Sequence, residues 1–196
     1  MRAPLLLRAR RAFTVIEMVI AVGVAAILVA IVLPNIDFNR YRMDAACRSV
    51  QLRFIAAQSK AVEGGVNYIV TFFWNQSQFR VVKDINGNGL WDGGLETANY
   101  FTLDENVRFM IPPSTIDGAS PDYATGPGLH AIGEGGNTYP TVTFYPNGSS
   151  SGDVVVYLGT SATRYTDFRA VQITGSTSKV TYWRMRSDGN WAQSDM

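Results

Sequence analysis

Cysteine is almost missing. Cys47 is the single one in 196 residues, so no intramolecular disulfide can form, even in an oxidising destination. Histidine is as scarce. His130 stands alone in a Gly-rich stretch, beside neither a serine elbow nor a cysteine. The chain has no HExxH, no paired cysteines and no phosphate-binding loop. Gly126-Pro127-Gly128 and Gly133, Gly135 and Gly136 lack the strand–helix context that nucleotide binding needs, and they read as loop. Zinc hydrolysis, thiol catalysis and dinucleotide chemistry therefore have no residues to carry them, and no enzyme is expected. Charge of one sign is also missing, since the formal net charge is +1. Aromatic residues make up 12% of the chain, but most fall at alternating strand positions, where packing accounts for them.

What is present is one long apolar run, Phe13–Leu33, reading FTVIEMVIAVGVAAILVAIVL. Only Thr14 and Glu17 interrupt it. As a helix it would be about 31 Å long, enough for a hydrocarbon core of about 30 Å. Pro34 follows, where it can kink or end the segment. Gly23 weakens the helix, but glycine is tolerated within membrane helices. A carboxylate such as Glu17 costs on the order of 2.5–3.5 kcal/mol at mid-bilayer and marks a function. Met1–Ala12 carries Arg2, Arg8, Arg10 and Arg11 and no acid, so the N-terminus is expected to stay cytoplasmic and the remainder to be exported. No small-residue signal-peptidase site follows Leu33, so the run is expected to stay on the mature protein. Without the leader, 13 basic residues face 16 acidic ones, a formal charge of −3. That balance argues against general nucleic-acid binding.

RRAFTVIEMVIAVGVAAILVAIVLP resembles the class III signal of type IV pilins and pseudopilins. In that family a basic leader and a small residue precede an aromatic first mature residue, a Glu at its fifth position and a Pro at its twenty-second. Counted from Phe13, Glu17 is fifth and Pro34 twenty-second. The resemblance implies that a prepilin peptidase cuts between Ala12 and Phe13 and N-methylates Phe13. It also implies that Glu17 and Pro34 serve assembly. Ala12 stands where the family nearly always has Gly; as the nearest small residue, it is expected to be cut. The implied layout is a leader over 1–12, a transmembrane and assembly helix over 13–34 and an exported head over 35–196.

Asn35–Val62 continues as an amphipathic helix. Ile36, Met43, Cys47, Val50, Phe54, Ala57 and Ala61 form one apolar stripe at helical period, with Arg40, Asp44, Arg48, Arg53 and Lys60 off it. On this stripe Cys47 reads as a small buried hydrophobe, with an intermolecular disulfide as the alternative. Gly64-Gly65 is expected to end the helix. After it the pattern turns to period two. Val66–Phe73 and Gln78–Lys83 read as a hairpin, and Asn99–Leu103 and Val107–Ile111 as a strand pair around Asp104-Glu105-Asn106. Pro112–Tyr139 is a long loop, functional or mobile. Thr141–Tyr145, Asp153–Leu158, Phe168–Thr174 and Lys179–Met185 complete seven or eight mostly antiparallel strands. The expected class is α+β: a long N-terminal helix, half membrane anchor and half amphipathic, packed on an antiparallel sheet.

MDAACRSVQLRFIAAQSKAVEGGVNYIVTF resembles the helix and first strand of GspH/FimT-type minor pseudopilins and minor pilins. VTFYPNGSSSGDVVVYL is similar to that group's FxPxG turn, here Phe144, Pro146 and Gly148. The group's late Gly-Arg pair is missing, with Lys179-Val180 the nearest match. The resemblance implies a structural subunit of a type II secretion or type IV pilus fibre. Its implied partners are other pilins or pseudopilins, the prepilin peptidase and an inner-membrane assembly platform. It would be a single-pass protein of the bacterial inner membrane, with its head in the periplasm or an extracellular fibre. The alternative is a DNA-binding minor pilin, suggested by Arg184 and Arg186 with Trp183 and Trp191; the acidic mature charge makes nucleic acid the less expected partner.

The stretch Asp84–Glu96 reads DINGNGLWDGGLE. Asp84, Asn86, Asn88 and Asp92 stand at its first, third, fifth and ninth positions. Gly89 is sixth, the Leu90 carbonyl would be seventh, and Glu96 falls one place after the usual twelfth. This is close to a Dx[DN]x[DN]G calcium loop, and Ca²⁺ is the possible cofactor. The alternative is a tight turn whose Asn-Gly and Asp-Gly pairs are chosen for positive φ.

Overall fold

The computed structural model describes residues 13–32, 38–104, 106–116, 140–160 and 163–194. The chain divides into two compact units, residues 1–38 and 39–196. In the first, helix α1 spans Val15–Val32. Its residues are apolar apart from Glu17, and every one from Val15 to Ile31 is exposed. Among the described residues no helix is long and apolar enough to cross a membrane. The 18 residues of α1 rise about 27 Å, and Leu33 and Pro34 lie outside the described residues. The expected continuity with the next helix also falls on residues outside the description, 33–37.

Helix α2 spans Phe38–Gly64 and, from Asn39 on, belongs to the second unit. The expected stripe is its buried face: Met43, Cys47, Val50, Phe54, Ala57 and Ala61 are buried, with Ala46 beside them, while Ile36 lies outside the described residues. Gly65 takes φ +62°, a conformation that costs glycine little, and the chain turns into the first strand there.

Nine described strands follow: β1 Asn67–Phe73, β2 Gln78–Asp84, β3 Ala98–Thr102, β4 Arg108–Phe109, β5 Thr141–Phe144, β6 Val154–Gly159, β7 Phe168–Thr174, β8 Lys179–Met185 and β9 Trp191–Gln193. They form two antiparallel sheets, ordered β3-β2-β1-β5 and β4-β6-β7-β8-β9. The first hairpin stands as expected, with Asn67 opposite Asp84 and Phe73 opposite Gln78. The expected β3–β4 pair does not form. Tyr100 of β3 lies opposite Arg80 of β2, and Phe109 of β4 lies opposite Leu158 of β6. The chain crosses between sheets at Leu103–Val107, and both of those residues are buried in the core. The short strand β9 is also more than the sequence showed.

One apolar core joins α2 to both sheets. Val70, Phe72, Phe79, Val81, Val142 and Phe144 come from the first sheet, and Val156, Leu158, Val171, Ile173 and Tyr182 from the second. Phe54 of α2 packs on rings of the first sheet, with its centroid 5.7 Å from Phe72 and 6.3 Å from Phe144. A second cluster covers the other face of the second sheet: Val155, Tyr157, Phe168, Ala170, Met185 and Trp191, under Met110, Ile111 and Ile116. The two clusters use alternate residues of β6, β7 and β8, as strand geometry requires. The fold is α+β, a helix packed on antiparallel strands, in two sheets rather than one.

Candidate functional site

The N-terminal helix begins with a cap. The Glu17 N–H donates to Thr14 Oγ1 at 3.3 Å and to the Thr14 carbonyl at 3.1 Å. Thr14 and Glu17 therefore occupy the N-cap and N3 positions of a helix start, and the Glu17 charge meets the positive end of the helix dipole. Sequence reasoning read Glu17 as a membrane-depth carboxylate serving assembly and not as a helix cap, although the Thr-x-x-Glu spacing was visible. Glu17 is exposed and has no ion-pair partner among the described residues. Phe13 is exposed ahead of the helix; Ala12 and Pro34 lie outside the described residues. Among the described residues nothing covers the apolar surface of α1.

The head ties α2 to its sheets by a polar network that sequence reasoning missed. Arg169 lies on β7, and only 2% of its side chain is exposed. Its Nε donates to Asp44 Oδ1 at 2.8 Å, and its Nη1 donates to the carbonyls of Thr166 and Phe168 at 2.7 and 2.9 Å. The Tyr182 hydroxyl donates to the same Asp44 oxygen at 2.8 Å, and Arg184 Nη2 reaches Asp44 Oδ2 at 3.3 Å. Burial by itself would raise the Asp44 carboxyl. The bonds from Arg169 and Tyr182, and the charges of Arg169 and Arg184, outweigh it and hold that carboxyl below its ordinary value. Burial pushes the Tyr182 hydroxyl and the Cys47 thiol up. The available signals were a charged residue inside the apolar strand FRAVQIT and a lone acid among the arginines of α2. A second clamp comes from Gln58, whose Nε2 donates to the carbonyls of Gly148 and Thr177, both at 3.2 Å. Gly148 belongs to the FxPxG turn.

Cys47 is 0% exposed, which closes the intermolecular-disulfide reading for the folded head. The proposed Arg–Trp edge is taken apart. Arg184 points to the α2 side of β8, onto Asp44. Trp183 points to the opposite side, donating to Gln172 Oε1 at 2.9 Å, and Trp191 is buried in the second cluster. Arg186 is exposed. These four residues therefore do not share one surface. His130 and the glycines from 126 to 136 lie outside the described residues.

The Asp84–Glu96 loop gathers its oxygens around its own amides. Asp84 is buried. Its Oδ1 accepts from Gly87 N at 2.7 Å, and its Oδ2 accepts from Gly89 N at 3.0 Å. Asn86 Oδ1 accepts from Asn88 N, and Asn88 Oδ1 from Leu90 N. Asp92 Oδ2 accepts from the side-chain amides of Asn86 and Asn88. Glu96 closes the loop, accepting from Ile85 N at 3.1 Å and Asp92 N at 3.3 Å. Gly87, Gly89, Gly93 and Gly94 all take positive φ, as the turn reading expects. The donor set is hard oxygen, which suits Ca²⁺, and one loop brings it together. Its oxygens are already bonded to N–H groups, however. Among the described residues no three of Asp, Glu, His and Cys form a metal-holding group.

No protein-family model matches the chain, and no curated protein matches it. Two solved structures are similar to it, both described as the minor pseudopilin EpsH of the type 2 secretion system of Vibrio cholerae. One aligns at a TM-score of 0.47 and 12% identity over 71% of this chain and 95% of that one. The other aligns at 0.37 and 12% identity over 79% and 94%.

Proposed function

We propose that this chain is a structural subunit of the minor pseudopilin or minor pilin kind, assembled into a type II secretion or type IV pilus fibre. The observation that carries the reading is α1, apolar apart from Glu17 and exposed from Val15 to Ile31. It is preceded by a basic leader and has Glu17 and Pro34 fifth and twenty-second from Phe13. Such a helix is suited first to an inner-membrane bilayer and then to a bundle of like helices. In this reading a prepilin peptidase cuts between Ala12 and Phe13 and methylates the new amine, the assembly platform moves the subunit into the fibre, and the head contacts its neighbours. The Asp84–Glu96 loop, already closed by its own bonds, takes Ca²⁺ weakly, in the ~10⁻⁴–10⁻³ M class of extracellular modules.

The deciding experiment is intact-mass and N-terminal analysis of the protein from its native membrane. A methylated Phe13 start supports the reading. A start at Met1, or beyond Leu33, overturns it. For the DNA-receptor alternative, a gel shift with the intact protein in detergent is expected to give no shifted band.

A further inference from the structure

We propose that β3 is a docking edge for a second copy of this chain, the two β3 strands pairing antiparallel about a two-fold axis at Tyr100. The proposal concerns the head alone and goes beyond the fibre reading above. The Leu103 N–H donates to the Ser77 carbonyl at 2.9 Å. Bonds of an antiparallel ladder alternate, so Asn99 and Phe101 also bond toward β2, whereas the N–H and C=O groups of Ala98, Tyr100 and Thr102 face outward. Among the described residues no strand pairs with that side. The other sheet edges are closed or short. On β5 the Thr143 carbonyl accepts from Ser151 N–H at 2.8 Å, and the Thr143 N–H donates to Ser151 Oγ at 3.1 Å. β4 has two residues and runs on to Pro112-Pro113, and β9 has three. Natural edges are blunted by lysine, proline or a bulge. β3 reads ANYFT, with no charge and no proline, and its register with β2 is unbroken.

Two observations select a second copy as the occupant. First, the outward set Ala98, Tyr100 and Thr102 is symmetric about Tyr100. An antiparallel copy sets Tyr100 against Tyr100 and Ala98 against Thr102, so each outward N–H meets a carbonyl in a closed, isologous contact. The strand is uncharged, so no like-charge pair faces across the junction. Second, an aromatic row stops at this edge. Phe73 stacks on Tyr100, with centroids 6.3 Å apart and planes at 26°, and Tyr100 is 48% exposed. A second Tyr100, about 5.5 Å away at Cα in a hydrogen-bonded pair, continues the row across the junction. A strand of five residues buries less than the roughly 1,200 Å² at which stable soluble interfaces begin. The pairing is therefore weak, and a covalent trap is the way to read it.

The test uses the full chain in detergent, prepared as two single variants, Ala98→Cys and Thr102→Cys. Disulfide dimer formed under mild oxidation is read on a non-reducing gel. Cys47 is buried, and its protection from maleimide shows that each variant is folded. The proposed register sets position 98 of one copy opposite position 102 of the other, at a Cα spacing that a disulfide accepts. Like positions, 98 with 98 or 102 with 102, lie about 13 Å apart along the strands, too far to bridge. The expected result is several-fold more dimer in an equimolar mixture than in either variant alone. Tyr100→Lys added to both variants sets like charges opposite each other and should bring the mixture down to the level of the single variants. Leu95→Lys, an equal charge change on a residue 86% exposed in the loop, should leave the mixture unchanged. Equal dimer in the mixture and in the single variants overturns the pairing, since contact elsewhere would then bring the copies together. Absence of dimer in the mixture overturns it too, as does equal loss with Leu95→Lys, which would mark a net-charge effect. The N-terminal analysis that decides the fibre reading is independent of all these outcomes.

Discussion

Arg169 Nε donates to Asp44 Oδ1 at 2.8 Å across 125 residues of sequence, joining a buried guanidinium on the second sheet to the second turn of α2. The bond fixes where the helix lies on that sheet. The apolar stripe alone permits sliding by a turn, but a buried cation with one carboxylate does not.

Asp44→Ala strands Arg169 in the interior and is expected to cost roughly 3 kcal/mol, within the range for breaking a buried pair. Arg184→Ala removes a half-exposed partner of the same carboxylate and should cost under about 1 kcal/mol. Urea unfolding in detergent measures both. The Asp44 carboxyl is lowered in the folded state. Its stabilising effect is therefore fully present above its unfolded value of about 3.9, and is lost as pH falls through the lower folded value. Asp44→Asn should remove that part of the acid limb and leave the neutral-pH slope unchanged.

Cys47 lies on the buried stripe of α2 with its thiol pushed up by burial. In the native protein it should resist maleimide, and label only as urea unfolds the head. Phe54→Ala, which removes the ring packed on Phe72, Phe79 and Phe144, is expected to cost about 3–5 kcal/mol. Leu52→Ala on the exposed face should stay within about 0.5 kcal/mol. Rapid labelling of Cys47 in the folded state would contradict the packing described.

Glu17 sits in the first turn of α1 without an ion-pair partner among the described residues. In the fibre reading its partner is a Phe13 amine freed by cleavage, on the same chain or a neighbour. Glu17→Ala should still insert and be cut but should incorporate poorly, whereas Glu17→Asp should recover part of the incorporation. In-cell crosslinking to neighbouring subunits reads this out. Wild-type incorporation of the alanine variant would remove the assembly role and leave only the helix cap.

Asp84→Ala deprives the Gly87 and Gly89 amides of a charged acceptor and should lower stability by roughly 2 kcal/mol with or without metal. The calcium proposal adds a separate effect. A chelator should lower the melting temperature and millimolar Ca²⁺ should restore it in the wild type, but not in Asp92→Ala, which keeps Asp84. Identical melts in chelator and Ca²⁺ would leave the self-bonded turn as the whole account of the loop.

Sequence by itself determined what depends on short-range periodicity. The buried face of α2 from Met43 to Ala61, its stop at Gly65 and the hairpin of β1 with β2 follow from 3.6- and 2-residue patterns and from glycine's freedom at positive φ. The processing register proposed around Phe13 and Glu17 likewise rests on spacing along the chain. Only the tertiary structure decided which strands meet. β3 and β4 each read as strand, but nothing local says that Tyr100 faces Arg80 while Phe109 faces Leu158 in another sheet. Pairing is chosen by burying Leu103 and Val107 between the sheets, a non-local gain. For the same reason Trp183 and Arg184, adjacent in sequence and grouped when read as text, lie on opposite faces of β8. Asp44, which looked like a solvated charge, became the anchor of the helix because burial made Arg169 require it.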